Sequence, residues 1–288
     1  TLITSHINTY KEELERIQEI QNLHPTYVEW DHIQNDLIPI MLLSAGLISL
    51  VFFFGVYVMK WLFPHSESKV IYKSAYQVTN LLVNLILGMM GIYYYNYVLE
   101  PNATVDTRVL GYGSVYPMSC VQFGYNLWAI PIGLTLIKES TEMIGHHFSV
   151  LIVSAVSATI TTGSSYYAPF MYGILELSSI PLAVMNAFKD NPEYIKKYPS
   201  AYLSIRLIFA FSFLYIRWYL YLPLKYDFLR TFGMSVITQK LTSAMLFTGA
   251  SWCAAFFLCL LQLSWGLLII KGIVNVFFLK PRNKGKMQ

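Results

Sequence analysis

Five stretches of this chain carry no Asp, Glu, Lys or Arg: 37–59, 74–99, 109–137, 143–175 and 241–270. Each is long enough to hold the roughly 20 apolar residues that carry a helix across the hydrocarbon core of a bilayer. The chain is 55% hydrophobic and 12% charged, against about 25% charged in soluble domains. A soluble all-helical domain with several wholly buried helices would need far more polar surface than this. The fold class is therefore all-α, a polytopic transmembrane helix bundle.

Hydrophobic runs and prolines predict seven spans: 37–59, 74–97, 117–137, 143–165, 169–188, 204–222 and 251–273. Pro117, Pro131, Pro169, Pro181 and Pro223 mark starts, kinks and ends. The stretch 228–250 reads as a loop, a re-entrant segment or part of an eighth span. Residues 5–24 read as an amphipathic surface helix, with Ile7, Tyr10, Leu14, Ile17, Ile20 and Leu23 at spacings of three and four. Acidic residues on its polar face argue against an anionic membrane surface and for docking on a partner or on the chain's own loops. The division is 1–36 as a polar N-terminal segment, 37–279 as the bundle and 280–288 as a basic tail. The chain opens at Thr1 with no n-region, h-region or cleavage site, so the expectation is a removed targeting segment or a late start to the numbering.

Loop charge predicts orientation. Eleven Lys and Arg fall on the side opposite the N-terminus, among them Lys69, Lys138 and Lys196. Six fall on the N-terminal side, among them Arg108, Lys225 and Arg230. The richer side faces cytosol or mitochondrial matrix, with the N-terminus outside or lumenal. Asn102-Ala103-Thr104 is a glycosylation sequon on the N-terminal side. A receptor reading of seven spans has no ligand mouth or signalling loop to support it.

The polar residues within these spans are few. Glu176 and Arg217 lie about 10 Å and about 8 Å from the same face at 1.5 Å per residue. Successive spans run antiparallel, so an ion pair between them is expected. At the mouth of the fourth span, Glu139, Glu142 and His146 at i, i+3 and i+7 would share a helix face. His147 points about 100° away from His146, so the two cannot chelate one ion from one face, and no metal site is expected. His146 as a general base oriented by Glu139 or Glu142 competes with a simple capping cluster. Ser154, Ala158 and Thr162 form a small-residue face that lets helices approach closely, which puts the fourth span at the centre of the bundle. Tyr93, Tyr94, Tyr95, Tyr97, Tyr166, Tyr167, Trp218, Tyr219 and Tyr221 read as an interfacial aromatic belt. Cys120, Cys253 and Cys259 read as small core residues, an odd count that suits neither a disulfide framework nor a metal. Gly111-Tyr112-Gly113 has no phosphate-binding context.

Over residues 70–275 the order of several short features resembles the TLC-domain family, which includes ceramide synthases, translocon-associated TRAM proteins and lipid-homeostasis proteins. The features are Gly124-Tyr125, His146-His147, Glu176-Leu177-Ser178 with Pro181, Arg217 with Pro223, and Trp265 with Lys271-Gly272. The resemblance implies an apolar cavity suited to acyl chains, with His146, His147, Glu176 and Arg217 as candidate lining. The region Ile174–Ile180 departs from the ceramide synthases: it has no Asp and no His. The acid that family members often carry after the Gly-Tyr pair is also missing. The acid–base set for acyl transfer is thus incomplete.

The expectation is a non-catalytic TLC-like membrane protein that binds or organises lipid. It would serve as an accessory subunit of a larger membrane complex, contacting other membrane subunits through residues 5–24. Its structural polar residues would be Glu142, His146, Glu176 and Arg217. No cofactor and no nucleic acid is expected. The alternatives are an acyl-CoA-dependent lipid acyltransferase using His146 or His147, and a free-standing regulator of membrane lipid composition. The expected membrane is that of a eukaryotic organelle, the mitochondrial inner membrane ahead of the endoplasmic reticulum.

Overall fold

The structure is a computed structural model describing residues 2–277 apart from 26, 99, 101–102, 163–164 and 239–242, with side chains from 9 to 275. Asn102 of the sequon, Lys240 and the basic tail 280–288 lie outside the described residues. Among those described, 91% are helical and there is no strand.

Among the described residues the fold is built from α1 (Leu2–Leu23), α2 (Trp30–Leu62), α3 (Ser68–Tyr97), α4 (Val105–Leu110), α5 (Tyr116–Ile132), α6 (Thr141–Thr159), α7 (Pro169–Asp190), α8 (Pro199–Thr238) and α9 (Ser243–Phe277), with a short helix, Pro192–Lys197, between α7 and α8. Among the described residues, six helical segments are long and apolar enough to cross a membrane. The exception among the expected spans is α6, whose Glu142, His146, His147 and serines reduce its hydropathy. It packs between α5 and α9 and leaves Phe148 exposed. Ser154 and Ala158 are fully buried there. Thr162 and Ser165, also buried, lie past the end of the helix and complete the contact from the loop.

Neighbour contacts close a ring in the order α2, α3, α7, α8, α9, α6, α5 and back to α2. The outer surface is apolar, as a lipid-facing surface must be: Leu43, Leu50, Phe54 and Tyr57 on α2 and Leu267 and Leu268 on α9 are all exposed. Trp128 fills one side of the ring, stacked on Tyr76 at 5.3 Å and on Tyr125 at 5.9 Å between centroids. Farther along α3, Gly91 lies against the backbone of Gly173 in α7.

Four expectations change. Pro223 does not end the sixth span. The helix runs through it to Thr238 because a wide π turn at Leu214–Leu220 precedes it and accommodates the hydrogen bond that proline cannot make. The described parts of 228–250 are therefore the end of α8, to Thr238, and the start of α9, from Ser243, and Lys225 is a core residue at 2% exposure rather than a loop charge. In the aromatic belt, Tyr93, Tyr95, Tyr97 and Tyr219 are exposed, but Tyr167 and Tyr221 are buried. Tyr167 donates to Asp227 at 2.7 Å, and Trp218 donates to the carbonyl of Gln262 at 3.2 Å, so both tie helices together. Cys253 is exposed on the outer face of α9, while Cys120 is buried.

Helix α1 folds back on its own chain. Ile17 and Ile20 are buried against Val109 of α4 and Met234 of α8. Around them, Glu13 pairs with Arg230 and lies 3.7 Å from Arg108, Arg108 pairs with Asp227 at 2.8 Å, and Arg16 pairs with Asp106. Gln21 donates to the carbonyl of Ser235 at 2.8 Å and accepts from Thr238 at 2.8 Å. The end of α8 projects beyond the spans on the N-terminal face, and α1 and α4 cover it.

Candidate functional site

The interior of the ring holds a connected set of polar side chains. Along α8 the buried positions Phe213, Arg217, Tyr221 and Lys225 repeat every four residues. On a 3.6-residue helix each such step drifts about 40°. The π turn at Leu214–Leu220 takes up that drift and keeps all four facing inward. On α7, a π turn at Pro169–Gly173 followed by a 3₁₀ turn at Ile174–Ser178 presents Glu176 and Ser178 to Arg217.

Arg217 and Glu176 meet, as their depths predict, at 3.8 Å. The guanidinium also donates to Ser178 at 2.6 Å, Ser179 at 2.8 Å and the carbonyl of Leu175 at 3.1 Å. Glu176 accepts from Ser179 at 2.7 Å and from Gln122 of α5 at 3.4 Å. Each buried charge therefore has an opposite charge and several hydrogen bonds, the condition under which burial is tolerated.

The two histidines diverge, as adjacent helical residues must. His147 points at α5, where Nδ1 lies 2.9 Å from Asn126 Oδ1. That oxygen only accepts, so Nδ1 carries the proton. Its Nε2 lies 3.6 Å from Glu139. His146 points at α9, against Trp265 at 5.6 Å between centroids, and its buried Nδ1 has no hydrogen-bond partner among the described residues.

The expected shared face of Glu139, Glu142 and His146 does not form. Lys138 takes a left-handed conformation and Ser140 caps the helix, so α6 starts at Thr141 and Glu139 precedes it. Glu142 falls in the exposed first turn, away from the cavities, and Glu139 turns inward. Reasoning from α6 alone placed the carboxylate one turn too far along.

Several inward residues went unremarked in the sequence. Gln122 and Asn126 on α5 and Asn80 and Asn84 on α3 are amides four residues apart within apolar runs, a signal that marks an inward helix face. Tyr125 donates to Asn80 at 3.0 Å, and Asn126 donates to the carbonyl of Gln122 at 2.7 Å. Lys225 offered no such signal, because Pro223 hid its helix. Its ammonium lies over Tyr221 and Phe228, 5.3 and 5.2 Å from their centroids, a cation–π arrangement.

Three cavities converge on His146. The largest, about 400 Å³, runs from Ser178, Ser179 and Arg217 between α7, α8 and α9, with Leu182, Phe213 and Trp265 among its walls. A polar cavity of about 70 Å³ reaches Gln122, Asn126 and His147. A third of about 30 Å³, room for a single water, holds Glu176, Lys225 and Gln262 in its lining. Among the described residues no three His, Cys, Asp or Glu converge as metal ligands do.

No curated protein and no solved structure matches the chain. A family model described as TLC domain matches residues 71–271, a range that takes in α3 and α5 through α8, most of α9, and every residue of the interior cluster. The chain is thus an integral membrane protein that belongs to the TLC-domain family.

Proposed function

We propose that this protein is a non-catalytic lipid-binding member of its family that holds an acyl chain in the groove between α7, α8 and α9 and serves as an accessory subunit of a larger membrane complex. The observation that carries this reading is the groove itself. It has about 400 Å³, within the range of small-ligand sites, and its walls are mostly apolar. Several polar groups at and behind its inner end are bonded to one another: Arg217 to Ser178, Ser179 and Glu176, and, in the adjoining polar cavity, His147 to Asn126. Such a set stabilises the bundle and closes the groove, and leaves Glu139 Oε2 and His146 Nδ1 as the buried groups lining it that have no hydrogen bond among the described residues. The test is native mass spectrometry of the gently solubilised chain, with native electrophoresis of the source membrane. Bound single-chain lipid and migration in a large complex of fixed stoichiometry support it. A lipid-free chain running alone refutes it.

One observation favours the acyltransferase reading: the unpartnered Nδ1 of His146 at the groove. A general base needs a group to orient it, and the carboxylate of Glu139 lies beside His147, 3.6 Å from its Nε2, instead. Acyl transfer by the wild type that is lost in His146→Ala would establish that reading.

A further inference from the structure

The groove continues outward from its apolar waist. Past Met185, Phe209, Leu268 and Ile269, a second cavity of about 400 Å³ leads to the face opposite the N-terminus; these four residues and Lys189 line both cavities. Lys189 of α7 stands where the two cavities meet, and Tyr202 and Arg206 of α8 and Gly272 of α9 line the outer part. From Arg206 to Arg217 is eleven residues of helix, about 17 Å, a length that one extended acyl tail spans.

The mouth is cationic. The nearest carboxylate in sequence to Lys189, Asp190, is engaged by Lys73 at 2.9 Å. Among the described residues neither Lys189 nor Arg206 forms an ion pair. Arg206 instead rests on the ring of Tyr202, 5.6 Å from its centroid. Two cations on two helices flank the mouth of an apolar tunnel, where membrane headgroups lie. A guanidinium fork beside an ammonium matches the oxygens of a phosphate.

We infer that Lys189 and Arg206 form the headgroup subsite of the groove, and that its occupant is a single-tailed lipid with a phosphate head. The head lies between the two cations, and the tail runs inward past Phe209 and Leu268 to Trp265. This rests on the lipid-binding reading above and adds the class of ligand. Opposed cations near a membrane surface favour an anionic head by on the order of 30-fold for two charges.

The test uses the full chain in neutral detergent and tail-brominated lipids, which quench Trp265 on contact; the Trp265→Phe variant subtracts the other tryptophans. The probes are 1-acyl-lysophosphatidate and 1-monoacylglycerol with the same tail. The wild type is expected to bind the phosphate-headed probe about 30-fold tighter. K189Q/R206Q is expected to bind the two probes within about twofold of each other and to keep its affinity for monoacylglycerol. Gly272→Leu is expected to lose both probes without unfolding, because a Cβ at that position meets no atom within 4 Å. A phosphate preference that survives K189Q/R206Q overturns the headgroup assignment and leaves the lipid groove standing. Inorganic phosphate displacing the phosphate-headed probe at matched concentration overturns it in favour of a free-phosphate site. Absence of Trp265 quenching by either probe refutes the lipid groove itself.

Discussion

Gly91→Ala tests the contact on which the interior cluster depends. A Cβ on Gly91 would lie 2.6 Å from Gly173 Cα and 2.6 Å from Ile174 N, both backbone atoms that no side-chain rotation can move. Ordinary contact begins near 3.4 Å, so α3 and α7 must part by about 0.8 Å. Glu176 is three residues from Gly173, and its 3.4 Å hydrogen bond to Gln122 has no slack for such a shift. Overpacking a close-fitting contact costs about 1–3 kcal/mol, and a backbone clash belongs at the upper end. Alanine recovers about 1 kcal/mol of helix propensity over glycine. The net loss is about 2 kcal/mol, or about 4–8 °C in Tm for a chain of this size. Gly46→Ala is the control: a Cβ there meets nothing within 4 Å, so only the propensity gain remains and Tm rises by about 2–4 °C. Gly88→Ala falls between, since the neighbour it meets is the mobile side chain of Leu177. The assay is thermal unfolding of all three variants and the wild type in one detergent at one scan rate. If Gly91→Ala melts at or above Gly46→Ala, then α3 and α7 are not in backbone contact, and the placement of Glu176 built on that contact is wrong.

Two more predictions address the charges and the docked helix. Glu176→Gln should cost about 3–5 kcal/mol by leaving Arg217 buried without its counter-charge. Adding Arg217→Met should recover much of that, so a double-mutant cycle should give a coupling of at least about 1 kcal/mol; purely additive losses would mean that the 3.8 Å pair does not interact. Ile17→Asp should release α1 from α4 and α8 by removing about 2 kcal/mol of apolar burial. Amide exchange over residues 9–23 would then speed up about 30-fold. Exchange as fast in the wild type would show that α1 is not held by its own chain.

The gaps in charge made the membrane bundle legible, because a bilayer penalises every ionised group within it and so writes each span as an interval. Helix α1 was legible from its spacing of apolar residues, although the spacing could not say what covers that stripe. Ile17 and Ile20 are covered by this chain's own α4 and α8, where the sequence allowed a partner equally well. Glu176 and Arg217 were legible as a pair because depth follows from counting residues along rigid helices.

Other features depended on turns that break the regular period. Glu139 rather than Glu142 faces inward because the left-handed Lys138 delays the start of α6. Lys225 is buried because a π turn lets α8 continue through Pro223. Neither turn has a local signature strong enough to predict. The sequence by itself determined that this chain crosses a membrane as a helical bundle and that Glu176 and Arg217 lie at matching depths, since both follow from local composition and the 1.5 Å rise of a helix. Only the tertiary structure decided which side chains meet and that a groove runs between α7, α8 and α9. Those depend on the rotation of each helix about its axis, which is set by packing against neighbours distant in the chain.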